Sequence, residues 1–287
     1  MTSFDTSGPV ELTVDLGIRS DIWITAVDRT EATVQIRPRN PERALDVSAA
    51  GQIAVDLTDN RLRVGFTHLR IRNWFTDGGA VDVSIEVPTG SSLDVGTGMG
   101  AVDAAGEFGA AVVRSGMGAI RIDRCAGLRV KTGQGDVTVG NTTGLVSIST
   151  GTGKVRIGAI AGTATVKNAN GETQIGVVAD DLTISAANGD ILIDRADANV
   201  TVKASNGSVR IGDIGRGAVT AATAAGAVEV GIRPGTAAWL DLSTKYGRVH
   251  NTLALGDGPA ATGDTVQVRA RSSYGDITVH RSERSEL

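Results

Sequence analysis

Residues 132–193 read TGQGDVTVGNTTGLVSISTGTGKVRIGAIAGTATVKNANGETQIGVVADDLTISAANGDILI, and their spacing decides the fold. Apolar residues occur as pairs at i and i+2, and the pairs recur every nine residues. Val137/Val139, Val146/Ile148, Val155/Ile157 and Ala164/Val166 are followed by Thr173/Ile175, Leu182/Ile184 and Ile191/Ile193. Alternation of period 2 over about four residues is the mark of a short half-buried strand. The Gly, Asn, Asp and Ala residues between pairs supply turns. Two strands and two turns make one rung of about 18 residues, the repeat unit of a solenoid. Stacking the rungs pairs each strand in parallel with its copy and closes a thin Val/Ile/Ala interior between two sheets.

The pattern extends in both directions. Turn glycines recur at Gly100, Gly118, Gly135, Gly153, Gly171, Gly189, Gly207, Gly226 and Gly247, with a last copy at Gly275 after a longer insertion. Ten rungs at ~4.8 Å give an expected rod of roughly 48 Å. A left-handed β-helix built from hexapeptides has the same rung length, but it needs an aliphatic residue every six positions. Thr143 and Ser149 follow Val137 at that spacing, so the template fails. A calcium β-roll stacks nonapeptides with an Asp in a fixed place. Here Val137, Val146, Val155, Ala164, Thr173, Leu182, Ile191, Val200 and Val209 fill that place, so an apolar pair stands where the metal shell would be. Asn170, Asn188 and Asn206 recur at the rung spacing, each before a Gly. They serve either as a hydrogen-bonded ladder or as plain tight-turn residues.

Residues 1–88 are β-rich but off the period, and are expected to form a β cap ahead of a solenoid over 89–287. Strands are expected at 10–16, 21–27, 32–37, 53–57, 62–66 and 81–87, with a hairpin turn at Asp59-Asn60 and a short helix within 40–50. The cap hides the first rung, because an open edge invites further pairing. The charged tail 281–287 blunts the other end. The segment VELTVDLGIRSDIWITAVDRTEATVQIRP (10–38), followed by TGxGDVTV, NGDILI and YGDITV rungs, resembles the bacterial "putative adhesin" family, a domain-of-unknown-function β-strand-repeat family. The resemblance spans residues 3–281. It implies a β-solenoid with no established enzyme activity; some relatives carry membrane anchors.

Composition excludes other classes. Glycine is abundant at 38 of 287 residues but not at every third position, so the chain is not collagen-like. One Cys rules out a disulfide framework and a multi-Cys zinc site. A formal charge of −4 gives no sign of a nucleic-acid partner. The start, MTSFDTSGPVELTVDL, has no basic and then apolar leader, so a cytoplasmic location without a membrane anchor is expected.

Chemistry-bearing residues are scattered. His68, His250 and His280 lie in separate segments with no metal-ligand spacing. Cys125 has no neighbouring His and reads as a structural thiol. TGQG and TGTG lack the Lys-Ser/Thr ending of a phosphate loop. Asp136, Asp190 and Asp276 follow turn glycines, but Lys154, Glu172 and Ser208 hold the same place in other rungs, which describes a solvated edge. Two outward rows are expected: Arg121, Thr138, Arg156, Gln174, Leu192 and Arg210 on one face, and Ser147, Thr165, Thr183, Thr201 and Thr220 on the other. The second resembles an ice-binding array, but Lys167 and Lys203 beside it break the flat surface. The irregular segment 67–79, THLRIRNWFTDGG, gathers Arg70, Arg72, Trp74 and Phe75, residue types typical of interface hot spots; the same aromatics would also serve to pack the cap on the first rung. The expected protein is an all-β, two-sheet parallel solenoid acting as a non-catalytic scaffold or adhesin-like binding module. Its partner is an unidentified protein or glycan, and it needs no cofactor or metal. A polysaccharide-active β-helix enzyme is the second reading and a self-associating filament the third.

Overall fold

The protein is described by a computed structural model covering residues 1–66, 79–253 and 263–282. It divides into two compact units, Met1–Gly140 and Asn141–Leu287. The first contains β1 (Thr2–Asp5), β2 (Glu11–Val27), β3 (Glu31–Pro38), α1 (Ala44–Gln52), β4 (Ile53–Thr58), β5 (Arg61–Phe66), β6 (Ala80–Pro88), β7 (Ser92–Met99), β8 (Val102–Met117) and β9 (Ile120–Gln134), and β10 (Val137–Thr142) follows. The second continues with β11 (Val146–Thr152), β12 (Val155–Ile160), β13 (Ala164–Asn170), β14 (Thr173–Val178), β15 (Leu182–Asn188), β16 (Ile191–Ala196), β17 (Val200–Asn206) and β18 (Val209–Ile214). It ends with β19 (Gly217–Ala225), β20 (Val228–Ile232), β21 (Ala237–Tyr246), β22 (Val249–Asn251), β23 (Thr265–Tyr274) and β24 (Ile277–Arg281).

The fold is a parallel β-solenoid. In the second unit one ladder stacks Val146, Ala164, Leu182, Val200 and Val219 in register through β11, β13, β15, β17 and β19. The other stacks Val155, Thr173, Ile191, Val209 and Val228 through β12, β14, β16, β18 and β20. Strand alternation sends these residues inward, and all are 3% exposed or less. Each fully buried Val, Leu or Ile contributes about 1.5–3 kcal/mol, which is the force that sets the register. Both expected outward rows are present within the second unit. Arg156, Gln174, Leu192 and Arg210 are aligned on one ladder, and Ser147, Thr165, Thr183, Thr201 and Thr220 on the other.

The corners explain the glycines. Gly189 has φ +129° and Gly207 φ +144°, backbone that L side chains rarely adopt. A Cβ at Gly189 would run into the carbonyl oxygen of Gly171, and one at Gly207 into that of Gly189. The preceding asparagines do form a ladder. Asn206 Nδ2 donates to Asn188 Oδ1 at 2.9 Å, and Asn188 Nδ2 to Asn170 Oδ1 at 2.8 Å. The positive φ sits on the glycines alone, since Asp59 and Asn60 are the only non-glycine residues with positive φ among those described. Inside the same corner runs a polar column that turn chemistry conceals in the sequence. Thr223, Ser272 and Thr244 hydroxyls donate to the Gly207, Gly226 and Gly275 carbonyls, and the Asn168 amide donates to Gly153 and Gly171.

In the first unit, β2 is itself a rung despite lying off the period. Leu12 aligns with Leu93, Ala111 and Leu128, and Ile22 with Val102 and Ile120. The strands expected at 10–16 and 21–27 are therefore one continuous strand that turns the corner. Beyond β2 the parallel order gives way. β5 and β6 still run parallel to it, but β4 pairs antiparallel with β5, β3 antiparallel with β6, and β1 antiparallel with β3. Asp59 and Asn60, with φ 48° and 63°, make the two-residue turn between β4 and β5. The helix starts at Ala44, after Pro41, and is tethered by buried Asp46, whose carboxylate accepts the backbone N–H groups of Ala80 (2.9 Å) and Asn40 (3.1 Å).

A half-buried charge network lies in the other unit. Arg233 donates to Asp213 at 2.6 Å and to Asp197 at 2.8 Å, while Arg195 donates to Asp197 at 3.1 Å. Burial pushes the Asp197 pKa up, but hydrogen bonds and charge from Arg233 and Arg195 outweigh it and leave the pKa below the ordinary value. The Ala80 N–H bond does the same for Asp46, against a smaller desolvation. A depressed folded-state pKa means that the unfolded chain takes up protons first. The stability from both carboxylates is present above the unfolded value of about 3.9 and is lost as pH falls through the lower folded value. Melts between about pH 5 and pH 2 should therefore show a falling midpoint. Asp46→Asn and Asp197→Asn should each be less stable at neutral pH and less acid-sensitive; an unchanged acid slope in both would contradict the assignment.

Candidate functional site

Arg70, Arg72, Trp74 and Phe75, together with His68, lie outside the described residues. Cys125 is 3% exposed, and burial pushes its thiol up to about 11. It should react with a maleimide only after the protein is unfolded; labelling at the native rate of an exposed thiol would contradict this burial. Asp190 and Asp276 do more than decorate an edge. Asp190 Oδ1 accepts the Ser208 N–H and Asp276 Oδ1 the Arg248 N–H, each at 2.8 Å, so both tie one rung to the next. No cluster of three or more His, Cys, Asp or Glu able to hold a metal occurs among the described residues, and no described helix is long and apolar enough to cross a membrane.

The outer row around Leu192 forms a shallow cleft of about 270 Å³. Its carboxylates are engaged in the fold. Asp190 holds Ser208, and Glu229 lies 3.6 Å from Arg210 and 3.1 Å from His280 Nε2.

A more distinctive surface arises where the rung order departs from the chain order. β19 pairs with β23 and β20 with β24, and only then does β21 pair with β23 and β22 with β24. The copy at Gly275 thus follows Gly226 in the stack, and the copy at Gly247 is outermost. No described strand covers the far edge of β21 or β22. The effect on burial is direct. Ile277 is 0% exposed, whereas Val249, stacked on it, is 45% exposed. Leu240 and Leu242, above the buried Val268 and Ala270, are half-buried.

Aromatic residues lie at both ends of β21. Trp239 is 54% exposed, and Tyr246 stacks on Tyr274 with ring centroids 4.8 Å apart and an interplanar angle of 15°. Lys245 Nζ sits 5.1 Å from the Tyr246 ring centre. Beside them Asp241 accepts hydrogen bonds from Arg271 at 2.6 Å and Arg269 at 3.2 Å, and the Arg271 bond chiefly holds its pKa below the ordinary range. Lys245 and Arg248 complete a cationic border. A signal for this surface was present in the composition: the chain has two Tyr and three Trp, and both tyrosines and one tryptophan lie on this rung and the one beneath it.

A family model described as Toastrack DUF4097 matches residues 10–280. Among solved structures, the chain is similar to a putative adhesin from Bacteroides fragilis NCTC 9343 at 12% identity, covering 97% of this chain and 95% of that one with a TM-score of 0.30. It is similar to a putative adhesin from Parabacteroides distasonis ATCC 8503 at 13% identity, with 96% and 95% covered and a TM-score of 0.29. A protein from Parabacteroides distasonis ATCC 8503 described as a putative lipid binding protein is 9% identical, with 98% and 96% covered and a TM-score of 0.30. Comparison with curated proteins gives no match.

Proposed function

The chain belongs to the Toastrack DUF4097 family, and on that premise we propose that it is a non-catalytic binding module whose partner docks on the outermost rung, β21 and β22. The observation that carries this reading is the exposure of Trp239, Tyr246, Leu240, Leu242 and Val249 on a rung with no described strand above it, with Tyr274 stacked under Tyr246 from the rung below. The next rung buries the positions equivalent to Leu240, Leu242 and Val249, which are Val268, Ala270 and Ile277, completely. An exposed apolar patch with a polar rim is the usual form of an interaction surface, and aromatic residues dominate the energy of such surfaces. The engaged states of Asp190 and Glu229 and the raised thiol of Cys125 support a binding role over acid–base or nucleophilic chemistry.

The test is site-specific crosslinking in native lysate. A photo-reactive phenylalanine analogue replaces Trp239 in one variant and Arg156, in the middle of a regular outer row, in another. Adducts specific to position 239 are expected. Identical adduct patterns from the two positions, or none from either, would remove the reading.

A further inference from the structure

We propose that the open edge of β21 and β22 accepts an extended acidic segment of a partner protein, added as a further strand; the proposal deepens the binding-module reading and rests on it. The backbone supplies the first argument. The N–H of Ala237 donates to the Asp264 carbonyl on the β23 side. In a parallel ladder, alternate residues direct both N–H and C=O to the same neighbour, so the odd positions of β21 are committed to β23. Both groups of Ala238, Leu240, Leu242 and Thr244 therefore face the open edge. Thr252 N–H donates to Val279 and Ile277 N–H to the Arg248 carbonyl, which commits the even positions of β22 and leaves Val249 and Asn251 open. A strand laid along this edge satisfies the whole row.

Side chains supply the second argument. The residues with open backbone groups are those whose side chains point inward, so an added strand with apolar residues at alternate positions covers Leu240, Leu242 and Val249 as each interior rung covers the next. Charge supplies the third. Lys245 and Arg248 border the edge, Arg269 and Arg271 lie one rung below, and Asp241 is already taken by those two arginines. Carboxylates on the outward positions of the added strand find this cationic border. A second copy of the same rung does not, since its residues 237–251 carry a single carboxylate, Asp241, which Arg269 and Arg271 already hold.

The experiment uses the full chain and fluorescein-labelled peptides that alternate valine with glutamate, or valine with lysine, between glycine flanks. The glutamate peptide should bind about tenfold or more tightly than the lysine peptide. Lys245→Glu with Arg248→Glu, both exposed, should reverse that preference while leaving the melting temperature in place. N-methylation of one alternate set of peptide amides should abolish binding and of the other set should not, because only one set faces the protein. Equal affinity for the two peptides, indifference to N-methylation, or no binding at about 1 mM would overturn strand addition. Concentration-dependent sedimentation that the double variant abolishes would overturn it also, by showing a second copy on the edge. If the peptides fail while crosslinks from position 239 persist, the docking surface stands and its strand chemistry falls; if both fail, the binding-module reading falls with it.

Discussion

Replacing Val155 with aspartate is expected to cost about 4 kcal/mol of stability. Val155 is 0% exposed and aligned in β12 with Thr173, itself 0% exposed, in the adjoining rung. A carboxylate there has no cation to pair with and no water to solvate it. The interior raises its pKa, so the neutral form is the less costly one and the deficit should shrink as pH is lowered. Arg156→Asp, one residue on, tests the alternation. Arg156 projects outward beside Gln174, and its loss should stay within about 1 kcal/mol. Urea melts of the two variants read both numbers, and equal losses would show that the register is wrong.

Gly189→Val is expected to be nearly as damaging, at about 3 kcal/mol or more, for a different reason. Its φ of +129° is strained for any L side chain, and its Cβ would meet the Gly171 carbonyl, which is main chain and not a yielding side-chain tip. Relief requires the two rungs to part at the corner, which also pulls on the Asn170–Asn188–Asn206 ladder. Gly17→Ala is the control. Gly17 has no atom within 4 Å of the added carbon and no positive φ, so its melt should move by no more than about 0.5 kcal/mol. A Gly189 variant as stable as the Gly17 one would mean that the corners are loose.

The regular rungs are legible because their physics is local. The pair Leu182/Ile184 declares a two-residue alternation, Gly189 declares the corner, and repetition at a fixed rung length leaves one way to stack them. The polar column is not legible. Thr223 and Ser272 occupy positions where a turn residue is expected, and only the stack shows that their hydroxyls point inward to carbonyls of an adjoining rung. The exposed rung escapes for a deeper reason. Val249/Asn251 keeps the spacing of Ile277/Val279 with a polar second member, a departure that hints at the end of the stack but that chain order, which puts it before Ile277/Val279, conceals. Irregularity in the sequence points to 67–79, whereas the candidate surface arises in a segment that keeps the repeat. β2 reads as two strands because its Gly17 interrupts an apolar pattern that the backbone nonetheless carries through as one strand.

The inverted order of the last two rungs makes assembly of the end of the stack a matter of timing. Synthesis delivers β21 first, and the edge it meets is that of β19, which β23 finally occupies. Tyr246 of β21 and Tyr274 of β23 are aligned in the finished stack. At about 5–20 residues per second the ribosome needs roughly 1–6 s to pass from the first tyrosine to the second, against microseconds for local strand pairing. A nascent chain therefore has ample time to seat β21 directly on β19, and completing the mature order requires that early pairing to open. Insertion of β23 and β24 is the closing step of this order. A transcript cut short before Thr265 would leave β21 facing that same template with no later strand to displace it.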